Sequence, residues 1–396
     1  MKVSLFKIQL LVLLIFASTA FAPGLKAQYP TDSAKIYLIT LSPGSETYAA
    51  FGHSALRVSD PHRGFDYVYN YGTFDFETSN FYLKFGFGRL MYFLSISNYN
   101  DFYTAYKMWG QAMWEQKLNL TNKEKWQLMS NLQKNYQTEE RFYRYGFFRD
   151  NCSTRIRDII EKSVDGKVLY DTFFIKRPES FRMLFSAYLQ KDPWVLFGID
   201  ILLGKGTDSI AGIRDYMFLP ANMMNLFTSA KISDRGTMRP LSQNPVLLYP
   251  TTLTFDEPNP ITSPVAIFCA LLCIVLIFSF IGFKKNRYFK WFDVVLYLIT
   301  GLLGLLLFVM MLFSWHPEVW TNSNIVWANP INLVFAVGLI FSSKARWLRN
   351  LLMIYGVALV VFIPLSLCLK QHLPSAAYPI MGILIVRVGR FLFKKS

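Results

Sequence analysis

The chain has 396 residues, of which 53% are hydrophobic and 17% aromatic, with a formal net charge of +15. That is too apolar for one soluble domain, and most of the apolarity lies after Pro264, in runs long enough to cross a bilayer. The positive charge does not point to nucleic acid. Much of it sits in short loops beside apolar runs, the positive-inside pattern, and the rest suits anionic lipid headgroups.

Residues 1–27 read as an export signal. Lys2 and Lys7 precede the apolar core Leu10 to Ala17, and Leu25-Lys26-Ala27 offers cleavage before Gln28. A soluble domain over 28–250 follows, then a linker at 251–263 inside a Pro-rich stretch that begins at Pro240, then a membrane domain over 264–396. In the soluble part, Ile36 to Leu41 reads as a strand stopped by Ser42-Pro43-Gly44. Phe51 to Val58 is a second strand, Ser59 to Gly64 a turn, and Phe65 to Tyr71 a third, aromatic-rich strand. If Val58 pairs with Phe65, antiparallel register sets His53 opposite Asn70. Phe81 to Tyr92 fits either a helix followed by a loop or a strand. Asn100–Met113 and Asn122–Tyr136 read as helical or mixed, the latter opened by the capping box Thr121-Asn122-Lys123-Glu124.

The aromatic, basic run Phe142 to Phe148 leads into Arg149-Asp150-Asn151-Cys152-Ser153-Thr154-Arg155. There a helix opens whose Ile156, Ile159 and Ile160 share a face. Asp150 or Asn151 is a good N-cap, which sets Cys152 in the first turn. At that place the free N–H groups and the helix dipole favour a thiolate and can hold an oxyanion. Cysteines 269, 273 and 368 lie in apolar spans, so the soluble part has a single cysteine and no disulfide partner for it. Cys152 and His53 on separate elements are the pair needed for a thiolate with a general base, and Asn70 is placed to orient the imidazole. Arg149 and Arg155 stand beside Cys152 as candidate ligands of a phosphate headgroup.

Five spans are expected near 264–283, 293–313, 325–343, 350–369 and 376–393. Lysines and arginines crowd the first and third loops and the tail, while the second loop, Ser314 to Asn324, has none. With the soluble domain exported, five spans put every basic segment inside. The last span is the weakest, being interrupted by Arg387 and Arg390. On the outer side, His316, Asn324 and Asn329 are candidates for binding lipid or substrate, because polar groups within a span need partners.

Phe51-Gly52-His53-Ser54, Asn70-Tyr71-Gly72 and Asp150-Asn151-Cys152-Ser153-Thr154-Arg155, in that order, resemble the periplasmic domain of the Lnb-type lipoprotein N-acyltransferases. The signal, the multi-span tail and Trp327 to Pro330 fit the same architecture. The resemblance implies an α+β, permuted papain-like domain of the NlpC/P60 and lecithin–retinol acyltransferase kind, followed by an all-α membrane domain. It further implies an enzyme of the bacterial inner membrane, its catalytic domain periplasmic. That enzyme passes an acyl chain from a membrane phospholipid through a Cys152 thioester to the α-amine of a diacylated lipoprotein, with no metal or organic cofactor. Competing expectations are an exported cysteine amidase or endopeptidase acting on the cell wall, a phospholipase, and a membrane assembly or sensor protein with a structural cysteine.

Overall fold

A computed structural model describes residues 30–137, 139–172 and 175–393. The expected signal at 1–27 lies outside them, as do Lys394 and Lys395 of the tail. The chain divides into two units: the described residues up to Pro178 together with Ala211–Thr254, and Glu179–Ile210 together with the described residues from Phe255 onward.

The first unit is built on a seven-stranded sheet in the order β10-β5-β1-β2-β3-β4-β6, with every pairing antiparallel. Its centre is β1 (Lys35–Leu41), β2 (His53–Asp60) and β3 (Phe65–Thr73). The segment open to two readings takes a part of each: α1 (Phe81–Gly86) is helical, and β4 (Met91–Asn98) is the strand beside β3. Helix α2 (Tyr99–Met108), strand β5 (Met113–Lys117) and helix α3 (Asn122–Gln137) follow. The capping box of α3 forms as read. Thr121 N–H donates to Glu124 Oε2 at 2.8 Å, and Glu124 N–H donates to Thr121 Oγ1 at 3.3 Å.

Strand β6 (Phe142–Arg144) closes one edge, and helix α4 (Cys152–Ser163) packs on β2 and β3. Its three isoleucines, 156, 159 and 160, are all buried. Short β7 (Lys167–Leu169) leads out of this part. Helices α5 (Phe181–Leu189) and α6 (Pro193–Leu202) belong to the second unit, and α7 (Pro220–Ser229) returns to the first. Strand β8 (Lys231–Asp234) pairs on one side with β7 and on the other with β9 (Thr237–Pro240), forming a small second sheet. Within the Pro-rich stretch read as the approach to the linker, Val246–Tyr249 is strand β10, which covers the outer edge of β5.

The β2–β3 register differs from the reading by two residues. Val58 faces Tyr67, and Asp60 faces Phe65, so the turn is confined to four residues, Pro61 to Gly64. Because side chains alternate with period two, a slip of two leaves every one on its intended face. Asn70 therefore stays on the face of His53, and continuing the pairing sets His53 opposite Gly72 instead. On that face Ile39, Leu41, Ala55 and Val68 pack against Phe102 of α2.

In the second unit, Arg182 of α5 is a buried hub. It donates to Asp200 Oδ1 at 2.7 Å, Asp208 Oδ1 at 2.8 Å and Thr207 Oγ1 at 2.8 Å, as well as to two carbonyls. The remaining helices are α8 (Pro264–Lys284), α9 (Lys290–Phe313), α10 (Ile331–Phe341), α11 (Arg346–Ser366) and α12 (Ala377–Leu392). Four stretches among the described residues are long and apolar enough to cross a membrane: α8, α9, Ser323–Phe341 and α11. The expected fifth is not among them. Helix α12 has 16 residues, about 24 Å at the helical rise, against a hydrocarbon core of roughly 30 Å. It packs against α8 and α11, and its arginines point inward. Arg387 donates to both oxygens of Asp293, at 2.5 and 3.1 Å, and to Ser279 Oγ at 3.0 Å. Arg390 donates to the carbonyls of Gly282 and Arg287.

Asp293 and Arg387 are both almost wholly buried, so removing one partner leaves an uncompensated charge. Asp293→Ala is expected to destabilise the protein in detergent by about 3–5 kcal/mol, whereas Asp293→Leu with Arg387→Met costs far less. Thermal unfolding of the two variants checks this.

Candidate active site

Cys152 owes its position to the residue before it. Asn151 is the N-cap of α4 in a complete capping box: its Oδ1 accepts from Thr154 N–H at 2.9 Å, and its own N–H donates to Thr154 Oγ1 at 2.8 Å. The Asn151 amide then donates to the carbonyls of Phe147 at 2.8 Å and Phe218 at 2.7 Å. All four groups are spent, and Cys152 is fixed as the first helical residue.

His53 opens β2. Its Nε2–H donates to Asn70 Oδ1 at 2.5 Å, which leaves Nδ1 to serve the Cys152 sulfur. Tyr106 of α2 lies parallel to the imidazole, with centroids 6.3 Å apart. The next residue, Ser54, points to the opposite face, where its Oγ meets Ser153 Oγ at 2.9 Å and ties β2 to the helix start. Beside the imidazole and sulfur runs Gly72, with φ +88°. A methyl group there would stand 3.5 Å from Cys152 Cβ and 3.9 Å from His53 Cε1, so the approach of the two side chains passes a residue that has none. Just beside it the β3–β4 register shifts between Asn70 and Thr73, an irregularity of the kind that re-aims side chains next to active sites.

The electrostatics follow from these contacts. Burial pushes the Cys152 thiol up. The charge and hydrogen bond of His53, the Ser54 N–H and the Ser153 hydroxyl outweigh it and hold the thiol below its ordinary value. Burial pushes His53 down, but the facing sulfur and Asn70 hold it above its ordinary value. Both shifts favour the thiolate–imidazolium pair over the neutral one. Tyr145 also hydrogen-bonds Cys152, and burial followed by the sulfur's charge drives its phenol well upward, so it stays a proton donor.

The structure thus brings Cys152, His53 and Asn70 together, with Asn70 two residues short of the position opposite His53. Tyr145 and Gly72 were not singled out. The only sequence signal for Tyr145 was its place in the aromatic run before the cysteine, where it is one ring among several. Of the expected phosphate ligands, Arg149 is exposed. Arg155 is corrected: its Nε and Nη2 are taken by Asp150, at 2.6 and 2.9 Å, and its plane lies 3.4 Å from the Tyr143 ring. Such a bidentate pair leaves little of the fork for a headgroup.

In the second unit, His316 is half-buried. Two expected binding residues there are corrected as well. Asn324 is wholly buried, donating to the Ile201 carbonyl at 3.1 Å and accepting from Trp327 Nε1 at 2.9 Å. Asn329 caps its own helix, accepting from Ile331 N–H at 3.0 Å and donating to the Ile325 carbonyl at 3.0 Å. Their polar groups are met by protein partners, which is why they are tolerated in an apolar stretch. Among the described residues no group of His, Cys, Asp or Glu is arranged to hold a metal ion.

A Cys–His–Asn constellation with a buried sulfur and a half-buried imidazole and amide, in a chain with apolar helices of membrane-spanning length, defines a membrane-tethered protein with a thiol-centred candidate active site. Residues 21–187 match the family model described as the Lnb N-terminal periplasmic domain, and residues 256–396 match that of the Lnb transmembrane domain. The chain belongs to the Lnb family. It is a membrane-integral protein whose N-terminal domain is periplasmic. The family associates it with lipoprotein N-acylation and with acyltransferase activity. Comparison with curated proteins and with solved structures returned no match.

The lowered thiol means that thiolate is present above that value, and the raised imidazole means that imidazolium persists below its own. Alkylation of Cys152 by iodoacetamide should therefore begin at a pH below that of an ordinary cysteine. His53→Gln should move that rise to higher pH and slow alkylation at neutral pH by about tenfold. Rates measured across pH by mass spectrometry of the Cys152 peptide check both.

Proposed function

We propose that this protein is a cysteine-dependent lipoprotein N-acyltransferase, with Cys152 as nucleophile, His53 as acid and base, and Asn70 orienting the imidazole. The observation that carries the reading is the sulfur–imidazole–amide chain at the start of α4, with both shifts toward the ion pair. The helix-borne cysteine and strand-borne histidine also support the permuted papain-like, NlpC/P60-type comparison for the periplasmic unit.

In the first half-reaction the Cys152 thiolate attacks an acyl ester carbonyl of a membrane phospholipid. The oxyanion is held by the Tyr145 hydroxyl and the first-turn N–H groups of α4. As the intermediate collapses, the C–O bond breaks, and imidazolium His53 gives its proton to the departing lysophospholipid oxygen. A thioester remains on Cys152. In the second half-reaction the α-amine of a diacylglyceryl-cysteine, at the N-terminus of a diacylated lipoprotein, attacks that thioester. His53 takes the amine's proton, an amide forms, and the thiolate leaves. Two-step covalent catalysis lets one site serve two bulky membrane-held substrates in turn. Arg149 and His316 are proposed contacts for polar parts of the substrates. The inner membrane is the proposed location.

Cys152→Ala in the full-length protein is expected to abolish both a hydroxylamine-sensitive acyl-enzyme and the third acyl chain on a lipoprotein N-terminus, read by mass spectrometry. N-acylation that survives this change overturns the reading. An acyl-enzyme that forms but yields only free fatty acid in the presence of lipoprotein marks a phospholipase instead. Tyr145→Phe should lower kcat by about 10²–10³-fold with little change in KM, as expected for a lost oxyanion donor, in steady-state assays with vesicle phospholipid.

A further inference from the structure

Between β3 and β4 the periplasmic unit displays apolar side chains that no packing demands. Tyr82 is 84% exposed and Leu83 64% exposed, and Phe76 is half out. Rings of this segment do not stand singly. Phe81 lies 5.0 Å from Phe76, Phe76 4.8 Å from Phe74, Phe74 5.2 Å from Tyr92, and Tyr92 4.4 Å from Tyr145. Tyr145 hydrogen-bonds the Cys152 sulfur. A continuous line of rings thus runs from an exposed apolar tip to the nucleophile. Lys84 and Arg89 fall in the same short segment, the mixture of aromatic, aliphatic and basic residues found where helices lie at a membrane surface.

A contiguous exposed apolar patch on a soluble unit marks an interaction surface. Two observations choose its occupant. The same chain carries membrane-spanning stretches, so a bilayer is always within tether length. The line of rings ends at the Cys152 sulfur, which on the acyl-transfer reading attacks a carbonyl, so the ligand fitted to it combines an apolar tail with such a carbonyl. A phospholipid has both.

We infer that the Phe74–Met91 segment seats in the outer leaflet and that one acyl chain of a phospholipid lies along its rings while its ester carbonyl reaches Cys152. The inference rests on the acyl-transfer reading for its second half only. The exposed tip stays in hydrocarbon and the tail slides along aromatic faces, so the lipid is lifted part-way and its chain is never set in water.

The test uses the full-length protein in vesicles of phosphatidylethanolamine and phosphatidylglycerol. Tyr82→p-benzoylphenylalanine, irradiated, is expected to yield a phospholipid adduct. The same residue in place of Trp126, which is exposed on α3, yields none. No adduct at position 82, or equal adducts at both positions, overturns the seat. The double variant Tyr82→Ser, Leu83→Asp should form acyl-enzyme from vesicle phospholipid about tenfold more slowly, with the rate on soluble p-nitrophenyl acetate kept. An unchanged rate on vesicles, or equal loss on both substrates, overturns the delivery route. A lipid adduct at position 82 in a protein that never forms an acyl-enzyme would leave the seat standing and remove the acyl-transfer reading, so the two failures are told apart.

Discussion

The contact between an imidazole on the first residue of a strand and a sulfur on the first residue of a helix is what the periplasmic unit is arranged to produce. Neither residue is held by its own element alone. Asn151 spends its backbone N–H, its side-chain oxygen and its side-chain amide on fixing where α4 begins. Asn70 holds the imidazole from the neighbouring strand. Ser54 and Ser153 bolt the strand to the helix, and the Ser153 hydroxyl stands beside the sulfur. Gly72 carries the chain past the pair in a left-handed conformation that favours glycine. Each of these acts through geometry, and the contacts around the sulfur hold its thiol below the ordinary value although burial alone would push it up.

The strands around His53, the cap and apolar face of α4, and the basic edges of the apolar helices were legible because each is a short-range pattern. Alternation, caps and charge beside a span act within a few residues of one another. The hairpin register was not legible, since Ser59 to Gly64 admits more than one turn. The period of two nonetheless kept Asn70 on the correct face when the pairing moved. The roles of Arg155, Asn324 and Asn329 were misread for a common reason. Residue type says that a polar group needs partners, and only packing says whether the partners are protein or ligand. Tyr145 was hidden differently, as one ring in a run of aromatics whose neighbours Tyr143 and Phe148 are core residues.

Family membership and geometry supply different things. The two domain matches say which proteins this chain belongs with, and they span both the periplasmic residues and the membrane helices. They do not say which atoms react. The geometry adds where sulfur, imidazole and amide come together, and that juxtaposition supports the proposed roles.

The inward-facing arginines of α12 bear on how the protein is assembled. A helix of 16 residues carrying two guanidinium groups is a poor candidate to enter lipid unaided. Its counter-charge, Asp293, and the carbonyls of Gly282 and Arg287 belong to segments made about a hundred residues earlier. Those segments precede α12 in the chain, so the groups that receive its two charges are made before it is. A copy whose earlier helices are misplaced leaves those two charges without their partners.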